Sequence, residues 1–286
     1  AILDRSLARG VNFLDTAEMY SVPAKAETCG STETILGNWF TKHPGVRQKL
    51  VLATKVAGPS RGMPWVREGS GMTSQDILNS CDASLKRLQT DVIDLYQIHW
   101  PERHVPAFGM VYFDPAKDKI ATPIHEQLET LAKLVKAGKV RYIGASSGPA
   151  WVMMQALSVS ERHGWARFAT MQNHYNALYR EEEREMMPLC IAEGVGVIPW
   201  SPMARGYLTR PSATTKARIT PRATGDSYSI GMYDDTVNWA IVDAVEGVAT
   251  ARGIPMAQVA LAWLLGRRGV TAPIVGATKL DRKSVV

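Results

Sequence analysis

Short apolar, β-branched runs alternate along this chain with longer stretches in which apolar residues recur every third or fourth position. The runs at 11–14, 50–54, 93–98, 140–145, 168–172, 195–199 and 272–275 read as strands, and their near-continuous apolar character suits parallel strands buried on both faces. Residues 1–9 read as the tail of an amphipathic helix closed by Gly10, and Ser31 is placed to cap a helix through Phe40. Thr73 with Asp76 forms a capping box, which opens a helix with Ile77, Leu78, Cys81, Leu85 and Leu88 on one face. Thr122-Pro123 starts another, Pro at its first position, carrying Ile124, Leu128, Leu131, Leu134 and Val135 until Gly138 stops it. Further helices are predicted over 151–163, 180–193, 237–251 and 256–265.

Strict strand–helix alternation leaves an open doubly wound sheet or a closed barrel. No GxGxxG follows a strand, which argues against the dinucleotide-binding version of the first. The expected fold is therefore α/β, a (β/α)8 TIM barrel over residues 1–280, with the first strand expected before Ala1 and the last helix lacking. Residues 281–286 carry no helical apolar face and back-translate into a common adapter sequence, so they are expected to be a non-native tail.

Composition narrows the function classes. The chain has 286 residues, 45% hydrophobic and 21% charged, with a net charge of +6. Its longest charge run, 180–185, is mostly acidic, and no Lys/Arg cluster is interleaved with aromatics, so nucleic acid is not the expected partner. No apolar run approaches the roughly 20 residues of a membrane span. Cys29, Cys81 and Cys190 form no CxxC pair, which reads as a reduced, cytoplasmic chain, and no metal site is expected.

In a barrel of this kind catalytic groups sit at the C-terminal ends of strands. Asp15, Lys55 and His99 close three consecutive strands, with Tyr20 just beyond the first. Taken singly, each has a plain alternative: a turn cap, a solvated strand end, a satisfied imidazole, a packing phenol. Together they assemble what carbonyl reduction needs. Tyrosine, with a pKa of about 10, is a poor acid until a neighbouring ammonium stabilises its phenolate. Lys55 would supply that charge, Asp15 would hold Lys55, and His99 would donate to the substrate oxygen.

The segments NFLDTAEMY (12–20), LVLATKV (50–56), DLYQIHWP (94–101) and GKVRYIGASS (138–147) resemble the tetrad segments of the aldo-keto reductase family, in that family's order and spacing. The likeness is closest to its Tas-like branch in the N-terminal half. It implies an NADP-dependent oxidoreductase acting on a small aldehyde or ketone, with Asp15, Tyr20, Lys55 and His99 as the catalytic tetrad. It further implies that Ser146, Ser147 and Gln172 bind the nicotinamide carboxamide, although the family often has Asn where Ser147 stands. Trp200 would stack on the nicotinamide ring. The segment WSPMARGYLTR (200–210) resembles the pyrophosphate loop, with Ser201, Met203, Arg205 and Arg210 as contacts. Arg222 matches an arginine that clamps the 2′-phosphate, and IVGATK (274–279) brings Thr278 and Lys279. Trp100, Phe108 and Tyr112, in a long loop with apolar and aromatic residues, are expected to line a hydrophobic substrate pocket. A non-catalytic NADP-binding regulatory subunit, of the channel-associated kind that shares the fold, is the alternative.

Overall fold

The computed structural model describes residues 1–59, 62–69, 71–104, 112–118, 120, 122–217, 231–233 and 237–277. The chain divides into two compact units. One comprises Ser6–Val105 and Asp114–Thr170; the other comprises Ala1–Arg5, Pro106–Phe113 and Met171–Val286. In chain order the elements are α1 (Ile2–Ala8), β1 (Phe13–Asp15), α2 (Ser31–Lys42), β2 (Val51–Val56), α3 (Ser74–Leu88), β3 (Ile93–Ile98), α4 (Ile124–Lys136), β4 (Val140–Ser146), α5 (Ala150–His163) and β5 (Phe168–Gln172). There follow α6 (Met186–Glu193), β6 (Gly196–Val197), α7 (Ser212–Lys216), α8 (Trp239–Arg252) and α9 (Met256–Leu265).

In the first unit β1, β2, β3 and β4 are parallel, and each pairs with its neighbour in sequence, with Asp15 opposite Ala53 and Lys55 opposite Gln97. The order stays sequential through β6. This is the winding of a (β/α)8 barrel: a doubly wound sheet reverses its strand order, and no reversal occurs among the described strands. Strands β2 and β3 are buried almost throughout, as strands covered on both faces should be. Gly144 in β4 permits the packing beside them, since a Cβ there would lie 2.4 Å from Thr170 Oγ1 and 3.1 Å from Gln97 Cγ.

The capping box at Thr73 and Asp76 forms as expected. The buried seam of α3, however, is Ile77, Ser80, Cys81, Ser84 and Leu88. Two serines take seats that the apolar pattern assigned to Leu78 and Leu85, because both have hydrogen-bond partners there. Gly30, not Ser31, occupies the position before α2, with φ of 75°. Pro123 likewise precedes α4 and is not its first residue.

In the second unit the helix expected over 180–193 is divided into a 3₁₀ turn at Glu181–Glu183 and α6. Hydrogen bonds to Glu182 from Asn173 and to Glu183 from Tyr175 and Arg180 hold that turn. Strand β6 is short, and 272–275 forms no ladder. Instead Val197 bridges Val270, while Thr271 and Ile274 N–H donate to the carbonyls of Val197 and Pro199 at 2.7 and 2.8 Å. Pro199 and Pro273 remove the donors that a longer pairing would need. Ala204, Leu208, Val242, Ala249 and Ala260 lie in this unit's core. No single helix among the described residues is long and apolar enough to cross a membrane.

Candidate active site

Three successive strand ends of the first unit bring Asp15, Lys55 and His99 to one edge of the sheet. Lys55 is fully buried, and its ammonium donates to Asp15 Oδ2 at 2.5 Å and to the Thr16 carbonyl at 2.8 Å. Gln97, opposite Lys55 in the β2–β3 register, donates to the other carboxylate oxygen of Asp15 at 3.1 Å. Asp15 is thus gripped through both oxygens, and the Lys55 stem is fixed at its head.

Tyr20 is half-buried on the loop after β1. Lys55 Nζ lies 5.2 Å from its ring centroid, and the His99 ring meets it edge-on at 5.5 Å and 75°. His99 also packs on Trp100, with centroids 4.8 Å apart. The sequence therefore places all four tetrad candidates in one cluster.

Electrostatics separates their roles. Burial acts to lower the Lys55 pKa, but Asp15, by charge and hydrogen bond, together with Tyr20 and Glu33 outweighs it, and the net shift is upward, so the ammonium stays charged. His99 is driven well below the usual histidine range, by burial first and by Lys55 second. Its ring is neutral at physiological pH, and its buried Nδ1 has no hydrogen-bond partner among the described residues. An orphaned ring nitrogen beside a phenol and a fixed ammonium suits a site that receives a polar group from outside the chain. Among the described residues no cluster of His, Cys, Asp and Glu could hold a metal ion.

The other expected contacts are distributed as follows. Ser146 ends β4, buried, with its hydroxyl 3.2 Å from that of Ser147, whose φ is 54°. Trp100 is buried: it packs with Ala17, Met19, Ala57 and Val66, and its indole N–H donates to the Pro59 carbonyl at 3.1 Å. In the second unit Gln172 ends β5 and is buried. Trp200 is half-buried and stacks on His174, with centroids 4.3 Å apart and planes within 9°. Ser201 and Arg205 have positive φ, Met203 opens the turn at Ala204–Thr209, and Arg210 closes it. Tyr112 is 88% exposed. Phe108, Arg222, Thr278 and Lys279 lie outside the described residues.

Sequence reasoning missed Gln97, although a polar residue inside a wholly buried strand was a visible signal. It also missed Glu18, buried two positions before Tyr20, and His174, which is sandwiched between Trp200 and Tyr179.

The description "Aldo/keto reductase family" belongs to the family model that matches this chain, over residues 1–284. Protein tas of Escherichia coli is 37% identical over 283 residues, covering 99% of this chain and 81% of the relative. Versiconal hemiacetal acetate reductase of Aspergillus parasiticus is 36% identical, with coverage of 98% and 78%. Aldo-keto reductase AFTS1 of Alternaria alternata is 37% identical, with coverage of 99% and 75%.

Proposed function

The chain belongs to the aldo/keto reductase family, a family of oxidoreductases, and from that premise we propose that it reduces an aldehyde or ketone with NADPH, with Tyr20 as proton donor. The observation that carries the reading is the Lys55 ammonium, locked by Asp15 and Thr16 and lying over the Tyr20 ring, with a neutral His99 on that ring's edge.

Bound NADPH supplies the hydride. Tyr20 protonates the oxygen on which negative charge develops, and the fixed ammonium makes the phenolate left behind less costly. Because Lys55 cannot leave Asp15 without burying an unpaired charge, its field at Tyr20 is pre-organised. Neutral His99 donates a ring N–H to the same substrate oxygen and orients it. Position by position, the motif likeness assigns Ser146, Ser147 and Gln172 to the carboxamide and Trp200 to the face of the nicotinamide. Ser201, Met203, Arg205 and Arg210 are assigned to the pyrophosphate, and Arg222, Thr278 and Lys279 to the adenosine phosphate. The same likeness leaves Trp100, whose indole is hydrogen-bonded to Pro59, together with Phe108 and Tyr112 as the residues assigned to the substrate pocket.

The test is oxidation of NADPH and NADH with a panel of aromatic and aliphatic carbonyl compounds, nitrobenzaldehyde among them. Turnover with NADPH preferred over NADH is expected, and Arg222→Ala should erode most of that preference. Absence of turnover with every substrate, in either direction, would refute the reading.

A further inference from the structure

The loop that carries Tyr20 is tied down by a buried carboxylate that the tetrad does not include. The β1–β2 ladder continues past Asp15 through two more backbone bonds, from Thr16 N–H to Ala53 O at 2.9 Å and from Glu18 N–H to Lys55 O at 3.2 Å. The chain then turns, with Tyr20 N–H donating to Ala17 O at 3.0 Å. Ala57 N–H, two residues after Lys55, donates instead to Glu18 Oε1 at 2.6 Å. Glu18 therefore grips the segment 55–57 at both ends, by its backbone N–H and by its carboxylate.

That carboxylate is itself held from two further sides. Arg67 pairs with Oε1, and the same guanidinium donates to the carbonyls of Ala57 at 2.8 Å and Gly71 at 3.1 Å. Ser80 of α3 donates to Oε2 at 2.7 Å and accepts from the buried Tyr96 hydroxyl at 2.9 Å. A buried carboxylate with a cation and two neutral donors is a rigid strut. Its span runs from the Tyr20 loop to the backbone just past Lys55.

We propose that Glu18 is a positioning residue of this site: its carboxylate replaces a missing ladder acceptor and so fixes the Tyr20 phenol relative to the Lys55 ammonium. The proposal rests on the tetrad reading above and goes beyond it. It also gives Arg67 a purpose, because an unbalanced carboxylate two residues from Tyr20 would oppose formation of the phenolate that Lys55 favours.

The experiment compares two charge-free double variants, so that the ion pair is absent from both. Glu18→Gln/Arg67→Met keeps an amide oxygen able to accept from Ala57, whereas Glu18→Ala/Arg67→Met does not. Two quantities are read: the near-ultraviolet phenolate titration of Tyr20, taken as the difference from a Tyr20→Phe counterpart in each background, and kcat alongside NADPH affinity. The glutamine version should titrate near the parent. The alanine version should lose about ten- to a hundredfold more in kcat, the scale of a misplacement of about 1 Å. Its Tyr20 titration should move toward that of free tyrosine, with NADPH affinity held within about threefold. Equal kcat and equal Tyr20 titration in the two variants would overturn the proposal. Should either double variant fail to fold, Ser80→Ala loosens the carboxylate more gently: a shift of the Tyr20 titration in the same direction supports the strut, and no shift overturns it. A parent without turnover sinks the reductase reading alone, since the phenol titration still reports on positioning.

Discussion

Replacing Lys55 by Met tests the energetics of the site apart from its chemistry. Methionine follows the buried stem closely but removes the charge, leaving Asp15, only 6% exposed, without the cation 2.5 Å away. Removing one partner of a buried ion pair typically costs about 3–5 kcal/mol, because the surviving charge remains desolvated. Asp15→Asn should cost a similar amount for the converse reason. In the double variant neither charge is left behind, so its loss should fall short of the sum by about 1–3 kcal/mol. Urea denaturation at neutral pH, with a constant slope across the series, gives all three values. The sign with pH is also fixed. The folded Lys55 pKa lies above its usual value of about 10.5, so the folded state holds the proton longer than the unfolded chain does. The contribution is complete below that value and fades as pH rises through the folded pKa. A single-variant loss under about 1 kcal/mol, or strict additivity in the double, would refute the argument that this pair is buried and coupled.

Two further outcomes follow from the packing. Burial, and then Arg205, lower His174 to about 3, so the unfolded chain binds its proton first as pH falls below about 6.5. Stability should therefore drop by up to about 1.4 kcal/mol per pH unit from that group, and His174→Phe should flatten the slope by one proton; equal slopes for parent and variant would contradict this. Gly37→Ala should destabilise by at least about 1–3 kcal/mol, since its Cβ would sit 2.3 Å from the Arg87 carbonyl where α2 meets α3, and a midpoint within error of the parent in urea would show that the helices can part without cost.

The strands β1 to β5 were legible because parallel strands buried on both faces are written as apolar runs. β6 and 272–275 were less so, because Pro199 and Pro273 fit an apolar pattern while withholding the donors a ladder needs. Helical periodicity located α3 and, in Ile77, Cys81 and Leu88, part of its seam, but not Ser80 and Ser84, which are buried by virtue of partners that the pattern cannot see. The same limit governs the site. The tetrad candidates stood at strand ends, or on the loop just beyond one, in recognisable segments, so they could be named. Gln97 and Glu18 act on partners far away in sequence: Asp15 is 82 positions from Gln97, and Arg67 and Ser80 are 49 and 62 from Glu18. Only the folded register brings them together.

The most direct test of the central claim is the single substitution Tyr20→Phe, assayed for NADPH-dependent carbonyl reduction and, separately, for NADPH binding by fluorescence titration. The phenol acts in the transition state and contributes little to holding the cofactor, so kcat should fall by at least about a hundredfold, the scale of general acid catalysis, while NADPH affinity stays close to that of the parent. A variant that keeps most of its turnover number, with binding intact, would contradict the assignment of Tyr20 as proton donor.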